Sequence, residues 1–427
     1  MVSKENILHY IWKYKLFPFK GLRTSLGEFI EVISPGYHNS NAGPDFYEAR
    51  IKIGDTLWVG SVEIHVLASD WNRHNHQTDQ SYDNVILHVV WQNDIDISRI
   101  DGTKIPALEL KPVIEPQLIE KIEKLRNNEH WIPCQEDIHK IDDFTYKAWI
   151  DRILVERLTY KSEIIRHIYS YTKGNWEDTF YILLAGNFGF KVNQQPFEML
   201  AKNLPQQILA RHKSDQQQIE SLVFGVAGFL EDEFEDEYPN ILKREFRFLQ
   251  HKYNLKTLDK FIWKFAKTRP DNFPTIRLAE FAGLIYQSSH LFSRLLEIKH
   301  VKDYRLLFTD LTINPYWFEH YNFDKPRIKE FLIKIGTGSI DNLLINSISP
   351  ILFFYGDYMD NQSYKDSALS ILASIKAEDN QIINGFRNLG LKISLSSESQ
   401  GLIHLKNFYC NQKKCLNCAF GIKILKH

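Results

Sequence analysis

The spacing of apolar residues changes once along the chain, and this change constrains the fold more than any other feature. In the first part, short runs rich in β-branched and aromatic residues are separated by Pro, Gly, Asn and Asp, which predicts strands. These runs are "EFIEVIS", "YEARIKI", "LWVGSVEIHVL", "NVILHVVW" and "PALELK". From Asp142 onward apolar residues recur at helical spacing, with Gly and Pro at the predicted helix ends. The sequence therefore predicts an α+β fold, in which an N-terminal mixed-sheet domain precedes a large all-helical domain.

The same change of pattern predicts domain boundaries. A helix predicted over residues 4–16 and the strand-like runs form an α+β domain over residues 1–126, and a helical domain follows over residues 127–405. Residues 406–427 are a Cys-rich C-terminal segment, which we expect to pack near Cys134. The chain has no fixed repeat period, so the sequence does not support a helical solenoid.

Charge and hydropathy narrow the classes of partner. The formal net charge is −1, and residues 1–126 contain 14 basic and 17 acidic side chains, whereas nucleic-acid-binding domains usually show a basic excess. One stretch, "KFAKTRPDNFPTIRL", offers Arg269 and Arg277 as candidate nucleic-acid contacts, with ordinary surface charge as the alternative. The N-terminus does not resemble a signal peptide, and no run approaches the roughly 20 apolar residues of a membrane span. We therefore expect a cytoplasmic protein without a membrane partner.

Acidic and imidazole side chains cluster around the predicted strands. Asp45 follows a Gly-Pro turn at the start of one strand, and Glu63 and His65 alternate with the apolar Val62 and Ile64 on the next. If these strands pair antiparallel, Asp45 approaches Glu63 or His65. Two carboxylates and an imidazole meeting there would bind a hard divalent cation such as Mg²⁺ or Mn²⁺. In the alternative interpretation, Asp45 caps a turn and Glu63 is an exposed strand residue.

This pattern resembles the PD-(D/E)XK nuclease superfamily, in which a Pro-Asp and an acid-x-lysine lie on neighbouring strands of an αβββαβ core. Pro44-Asp45 match the first element and Glu63-Ile64-His65 the second, with His65 in place of the expected lysine. The resemblance implies that Asp45 and Glu63 hold the metal, and that His65, or a relocated Lys52, orients water or stabilises the phosphate. It implies a metal-dependent nuclease acting on DNA or RNA.

Further polar residues follow in "SDWNRHNHQTDQSYDNVILHVVW". His74, His76 and Asp79 are spaced as H-x-H-x₂-D, and His88 lies on the following strand. His-x-His can chelate a transition metal when both rings point the same way, so these residues are candidate additions to the active site. A polar loop whose histidines bond the backbone, and a core position for His88, are the alternatives.

The four cysteines of the chain form the most specific chemical pattern. Cys410, Cys415 and Cys418 are spaced as C-x₄-C-x₂-C near the C-terminus, and Cys134 is remote in sequence. Four thiolates can complete a structural zinc site, which we favour, or hold a [4Fe–4S] cluster. Some nucleases of the superfamily named above carry an iron–sulfur cluster bound by one distant and three C-terminal cysteines. Buried, unreactive cysteines are the remaining alternative.

The chain as a whole, from "GPDF" through "RPDNFPTIRLAEFA" to "CLNC", resembles an uncharacterised bacterial family, a domain of unknown function. That resemblance implies an organisation and no activity. The leading functional hypothesis is a metal-dependent, nuclease-like phosphodiesterase. The competing one is a non-catalytic scaffold with a structural metal site, whose helical domain binds a protein partner.

Overall fold

The computed structural model describes residues 4–39, 42–99, 101–266, 268–327 and 334–426. Contacts within the chain divide it into two compact units, which we call unit 1 and unit 2. Unit 1 comprises Met1–Trp149 and Leu405–His427, and unit 2 comprises Ile150–His404. The boundaries of independently folding domains at residues 126 and 405 stay a prediction.

Unit 1 contains the mixed sheet predicted from the strand-like runs. All five runs form strands, and one short strand is added to them. The strands are β1 (Ile30–Ser34), β2 (Tyr37–His38), β3 (Phe46–Ile53), β4 (Thr56–Leu67), β5 (Val85–Gln92) and β6 (Ala107–Glu109). Their order is β1-β3-β4-β5-β6, with β2 paired to β3. β3 is antiparallel to β1 and β4, whereas β4, β5 and β6 run parallel. The α+β class and the mixed sheet are therefore confirmed.

Both faces of β4 are covered where it carries its polar residues. Val62 and Ile64 are fully buried on one face, as the alternation predicts, while Val66 is half-buried. Glu63 and His65 on the other face are also buried, with 4% and 2% of their surface exposed. A strand with polar side chains buried on one face requires partners for them there.

Unit 1 also contains helices, and the first two of them contact β4. The predicted N-terminal helix is present and ends at Lys13, a few residues earlier than predicted. The helices are α1 (Lys4–Lys13), α2 (Asp70–Arg73), α3 (Pro116–Asn127), the start of α4 (Asp143–Tyr171) and α18 (Ala419–Leu425). Between β4 and β5 the chain forms α2 and two short 3₁₀ helices, His76–Thr78 and Gln80–Tyr82. This connection supplies the side chains that cover the polar face of β4.

Unit 2 is mostly helical, as the apolar spacing predicts. After α4 its helices are α5 (Trp176–Phe188), α6 (Phe190–Asn203), α7 (Gln206–Ala210), α8 (Gln216–Val226), α9 (Glu237–Tyr253), α10 (Pro274–Gln287), α11 (Leu291–Glu297), α12 (Tyr316–Glu319), α13 (Thr337–Leu343), α14 (Ser349–Tyr358), α15 (Gln362–Ser374), α16 (Gln381–Asn388) and α17 (Ser396–Leu405). A two-stranded ribbon, β7 (His320–Asn322) and β8 (Lys325–Pro326), corrects the expectation of an all-helical region. Its turn is made possible by Asp324, whose φ of 53° is in the left-handed region that Asp tolerates.

Within the described residues, no helix is long and apolar enough to cross a membrane.

Candidate metal centre

The antiparallel pairing of β3 and β4 brings Asp45 next to Glu63. Gly43 has a φ of +100°, a conformation that glycine adopts readily, and this turn leads the chain into β3. The Asp45 N–H donates to Glu63 Oε2 at 3.1 Å, and the Ile64 N–H donates to Asp45 Oδ2 at 2.9 Å. The approach of the two acidic residues that the sequence predicts is thus present in the fold.

The connection after β4 places two further histidines over the same face of the strand. Asn75 lies between His74 and His76 and has a φ of 62°, in the left-handed region where Asn is tolerated. This single left-handed residue turns the chain so that both neighbouring rings face His65. The His65 Nε2–His74 Nδ1 distance is 3.2 Å. His76 stacks on Tyr82 with ring centroids 3.8 Å apart, which fixes its plane.

Three imidazoles therefore converge on one point. Each of His65, His74 and His76 contributes one ligand nitrogen to a group whose members all lie within 4.8 Å of one another. A zinc–nitrogen bond of about 2.1 Å separates the ligand atoms of a tetrahedral site by about 3.4 Å. The measured 3.2 Å contact fits that separation. His65 is buried, His76 is half-buried and His74 is exposed, so the group is open to solvent on one side.

Glu63 lies beside this group and contacts two of its members. Its Oε1 is 3.2 Å from His76 Nε2 and 3.5 Å from His65 Nε2, both close to the edge length of a tetrahedral site. Burial raises the pKa of Glu63, and the charge of Asp45 raises it further, while the hydrogen bond from His76 opposes this. A buried carboxylate flanked by imidazoles can act as a fourth ligand or accept a proton from a water held there.

His88 lies behind His65, away from the open side. It is fully buried on β5, and its Nε2 is 2.9 Å from His65 Nδ1. Burial, together with the neighbouring imidazoles, lowers the pKa of His65 to about 2 and that of His88 to about 3. Both rings are therefore neutral at pH 7. Since His65 can donate its Nδ1 proton to His88, its Nε2 lone pair is free to face a metal, the arrangement typical of metal-binding histidines.

His9 on α1 is a member of the site that sequence reasoning missed. Its Nε2 is 3.2 Å from Asp45 Oδ2. Burial acts to lower the pKa of His9, but the hydrogen bond and charge of Asp45 outweigh it, so the pKa is raised. The only signal in the sequence was a histidine on an amphipathic helix, and that pattern does not say which strand the helix will cover.

Two of the predicted site residues do not join the centre. Lys52 is exposed near the far end of β3, paired with Leu57, and seven residues at about 3.3 Å each separate it from Asp45. Asp79 caps the 3₁₀ helix that follows it, accepting from the backbone and hydroxyl of Ser81 at 2.9 and 2.7 Å. Asp79 therefore caps a short helix, and a site role for Lys52 is not supported by its position.

The two candidate nucleic-acid contacts differ in exposure. Arg277 is buried on α10, where its Nη1 donates to Glu280 Oε2 at 2.6 Å and its Nη2 donates to Ser339 Oγ at 2.7 Å. A buried, paired guanidinium cannot contact a phosphate, so the expectation for Arg277 is wrong. Arg269 is exposed, and its nucleic-acid contact stays a prediction.

The comparisons with known proteins identify the family. The family model described as "Protein of unknown function (DUF2851)" matches residues 5–381. The chain belongs to this family. The matched range includes every residue of the histidine and acid centre, and Cys134. No curated protein and no solved structure matches the chain.

Proposed function

We propose that this DUF2851 protein is a metal-dependent, nuclease-like phosphodiesterase whose metal is held by His65, His74 and His76. The observation that carries the proposal is the convergence of three ligand nitrogens beside the buried carboxylate of Glu63, on a face open to solvent. A metal ion with an open coordination position can polarise a phosphoryl oxygen and lower the pKa of bound water.

The donor set changes the expected metal. Mg²⁺ and Mn²⁺ prefer oxygen ligands, whereas imidazole nitrogen favours Zn²⁺ and neighbouring transition ions. Asp45 and Glu63 are already engaged, Asp45 with His9 and a backbone N–H, and Glu63 with two imidazoles. We therefore place Zn²⁺ first, with Mn²⁺ next and Mg²⁺ last. In this arrangement Glu63 accepts the proton of the attacking water, and Asp45 orients His9 and the start of β3.

Two features support a nucleic acid as substrate. When the short β2 is left aside, the order of elements from α1 through the antiparallel β1, β3 and β4 to the parallel β5 resembles the αβββαβ order of the PD-(D/E)XK nucleases. In addition, Tyr37 and Tyr47 form an exposed cross-strand pair with ring centroids 5.6 Å apart, and Tyr47 is two residues from Asp45. Exposed aromatic rings next to a phosphodiesterase centre can stack on unpaired bases. We therefore favour single-stranded DNA or RNA.

The test starts from protein stripped of metal by a chelator and reloaded with Zn²⁺, Mn²⁺ or Mg²⁺. Labelled single-stranded, duplex and branched DNA and RNA are then incubated with each form. We expect Zn²⁺ or Mn²⁺ to restore cutting, and Glu63→Gln to reduce it at least about 100-fold, the usual contribution of a general base. In His74→Ala, added Zn²⁺ or Mn²⁺ should no longer restore cutting. Because His74 is exposed, this variant should fold normally.

His167→Ala is the matched control, since His167 is exposed on α4 in unit 2 and should leave activity unchanged. Tyr47→Ala should raise KM for single strands without lowering kcat. If no substrate is cut by any metal-loaded form, or if Glu63→Gln cuts as well as the parent protein, the phosphodiesterase proposal is wrong. The non-catalytic scaffold then becomes the better hypothesis.

A further inference from the structure

Two cations of unit 2 lie one helical turn apart without an acidic partner. Arg157 and Lys161 are on α4 at positions i and i+4, which share one face of a helix. Both side chains are half-buried. Across the residues that the structure describes, neither forms an ion pair with a carboxylate. Like charges at this spacing repel each other, and a charge withdrawn from water without a partner costs free energy.

Neutral amide groups hold the two cations instead. Arg157 Nε donates to Gln400 Oε1 at 2.5 Å, and Lys161 Nζ donates to Asn346 Oδ1 at 2.8 Å. An amide oxygen fixes the position of a cation, but it carries no charge that would neutralise it. The two Nη groups of Arg157 and the other protons of Lys161 have no acceptor within the described residues. These donors are therefore available to a ligand.

The two amides are themselves fixed by further hydrogen bonds. Gln400 is buried, and its Nε2 donates to Glu378 Oε1 at 2.7 Å. Asn346 Nδ2 donates to a backbone carbonyl one turn earlier at 3.1 Å. Asn346 also lies in a π-helical turn, Leu344–Ile348, where its own carbonyl accepts from Asn187 Nδ2 at 3.3 Å. Such turns occur frequently at functional sites, and here the turn helps to position the Lys161 amine.

Glu378 balances this charge only in part. Its Oε1 accepts from Gln400 and its Oε2 accepts from Ser399 Oγ at 2.6 Å, so it is linked to Arg157 through an amide. Burial lowers the pKa of Lys161 and the charge of Arg157 lowers it further, while Glu378 opposes this. Two cations and one carboxylate leave one positive charge of this network uncompensated. A bound anion would stabilise both cations.

We propose that Arg157 and Lys161 bind one tetrahedral oxyanion of the phosphate or sulfate type. The two Nη groups of a guanidinium donate a parallel pair of hydrogen bonds that matches two oxygens of such an anion, and an ammonium adds a point charge. The anion is either free phosphate or the phosphoryl group of a nucleotide, since both present the same oxygens. This site belongs to unit 2 and does not depend on the phosphodiesterase activity, which we assign to the histidine centre of unit 1.

The test uses full-length protein that has been stripped of metal by a chelator, so that phosphate cannot bind to a metal ion. Inorganic phosphate, sulfate and adenosine monophosphate are titrated at constant ionic strength in a calorimeter. We expect a single anion per chain, bound at least about tenfold more weakly by Lys161→Met, because a hydrogen bond to a charged group is lost. If the nucleotide binds more tightly than free phosphate, the source is a nucleotide, and the reverse order identifies free phosphate; either order supports the site.

Two matched controls separate this site from other cations and from the histidine centre. Lys191→Met removes an exposed lysine of α6 and should bind phosphate as the parent protein does. His74→Ala should also bind phosphate unchanged. Loss of phosphate binding in His74→Ala would assign the anion to unit 1 and overturn the proposal.

Asn346→Asp is the second variant, and it leaves both cations in place. It replaces the neutral acceptor of Lys161 with a carboxylate of nearly the same shape, which should occupy the charge that the anion would otherwise bind. We therefore expect phosphate binding at least about tenfold weaker than in the parent protein. Parent-like phosphate affinity in either Lys161→Met or Asn346→Asp, or no binding of the three anions to the parent protein, would contradict the proposal.

Discussion

The two units bury polar groups in different ways. In unit 2, the Arg277 guanidinium donates to Glu280 and Ser339, although its Nε has no partner within the described residues. Glu220 likewise accepts from Tyr238 at 3.0 Å and from Gln216 at 2.9 Å. Burial raises the pKa of Glu220 to about 7, yet each of its oxygens has a donor. Glu220 therefore needs no ligand, and the charge of Arg277 is balanced by that of Glu280.

In unit 1 the buried imidazoles around His65 are not matched in this way. His65 faces three other imidazoles, and a neutral imidazole has only one proton to donate. His88 Nδ1, within the described part of the chain, has no hydrogen-bond partner. A cluster of acceptors with too few protons is stabilised by a cation, whereas a matched donor–acceptor pair is not. The comparison therefore teaches that buried polarity alone does not indicate a site; the indicator is a mismatch between donors and acceptors.

The largest expected effect tests the buried ion pair of Arg277 and Glu280 in unit 2. Arg277→Ala leaves the carboxylate of Glu280 buried without its partner, and breaking such a pair typically costs about 3–5 kcal/mol. Urea denaturation should show this loss in the free energy of unfolding. Glu163→Ala, which breaks the exposed Glu163–Arg166 pair, is the matched control and should cost less than about 0.5 kcal/mol. A loss below about 1 kcal/mol for Arg277→Ala would contradict the contrast between the units.

The next effect uses the lowered pKa values of His65 and His88. The pKa values of His65 and His88, about 2 and about 3, lie far below the ordinary 6.5. Below pH 6.5 these two histidines therefore bind protons in the unfolded chain but stay neutral in the folded protein. Their contribution to stability is thus present above pH 6.5 and is lost as the pH falls. Each histidine should contribute about 1.4 kcal/mol per pH unit in this range, or about 3 kcal/mol per unit for the pair.

Urea denaturation of chelator-treated protein at pH 7, 6 and 5 measures this slope. His9, whose pKa is raised, acts in the opposite direction, so the comparison between variants is more informative than the parent slope alone. His88→Leu should reduce the slope by about 1.4 kcal/mol per pH unit. His139→Ala, at an exposed position in unit 1, should leave it unchanged. Equal slopes for His88→Leu and the parent protein would show that His88 is already charged in the folded state.

The sequence predicts the fold better than it predicts the site, for a physical reason. Periodicity reflects burial, and burial decides the strands and helices, so five strand-like runs became β1, β3, β4, β5 and β6. The approach of Asp45 to Glu63 also follows from strand pairing, because adjacent antiparallel strands determine which residues are neighbours. These features depend on local patterns that are visible along the chain.

The remaining parts of the site depend on tertiary contacts that no local pattern encodes. The position of His9 is set by how α1 crosses the sheet, and the distance of Lys52 along β3 does not support a role for it in the site. Arg277 seemed available because its segment is basic, yet the pairing with Glu280 three residues later removes it from the surface. The convergence of His74 and His76 depends on one left-handed residue, Asn75, which the H-x-H spacing does not reveal.

The smallest expected effect concerns this left-handed residue and sharpens the comparison, because it asks whether the backbone of unit 1 is shaped for the centre. A β-branched residue at a φ of 62° is strained by about 1–2 kcal/mol, so Asn75→Val should lower the stability of the metal-free protein by that amount. Asn75→Gly tolerates the same φ and is the matched control, with a change in stability below about 0.5 kcal/mol.

Asn75→Val should also turn His74 and His76 away from His65, so its zinc affinity should fall at least about tenfold. Asn75→Gly should bind zinc nearly as the parent protein does. Competition with a chelating dye measures both affinities. Equal zinc affinity in the two variants would mean that the histidines do not bind the metal together, and the incomplete polar cluster of unit 1 would then need a different ligand.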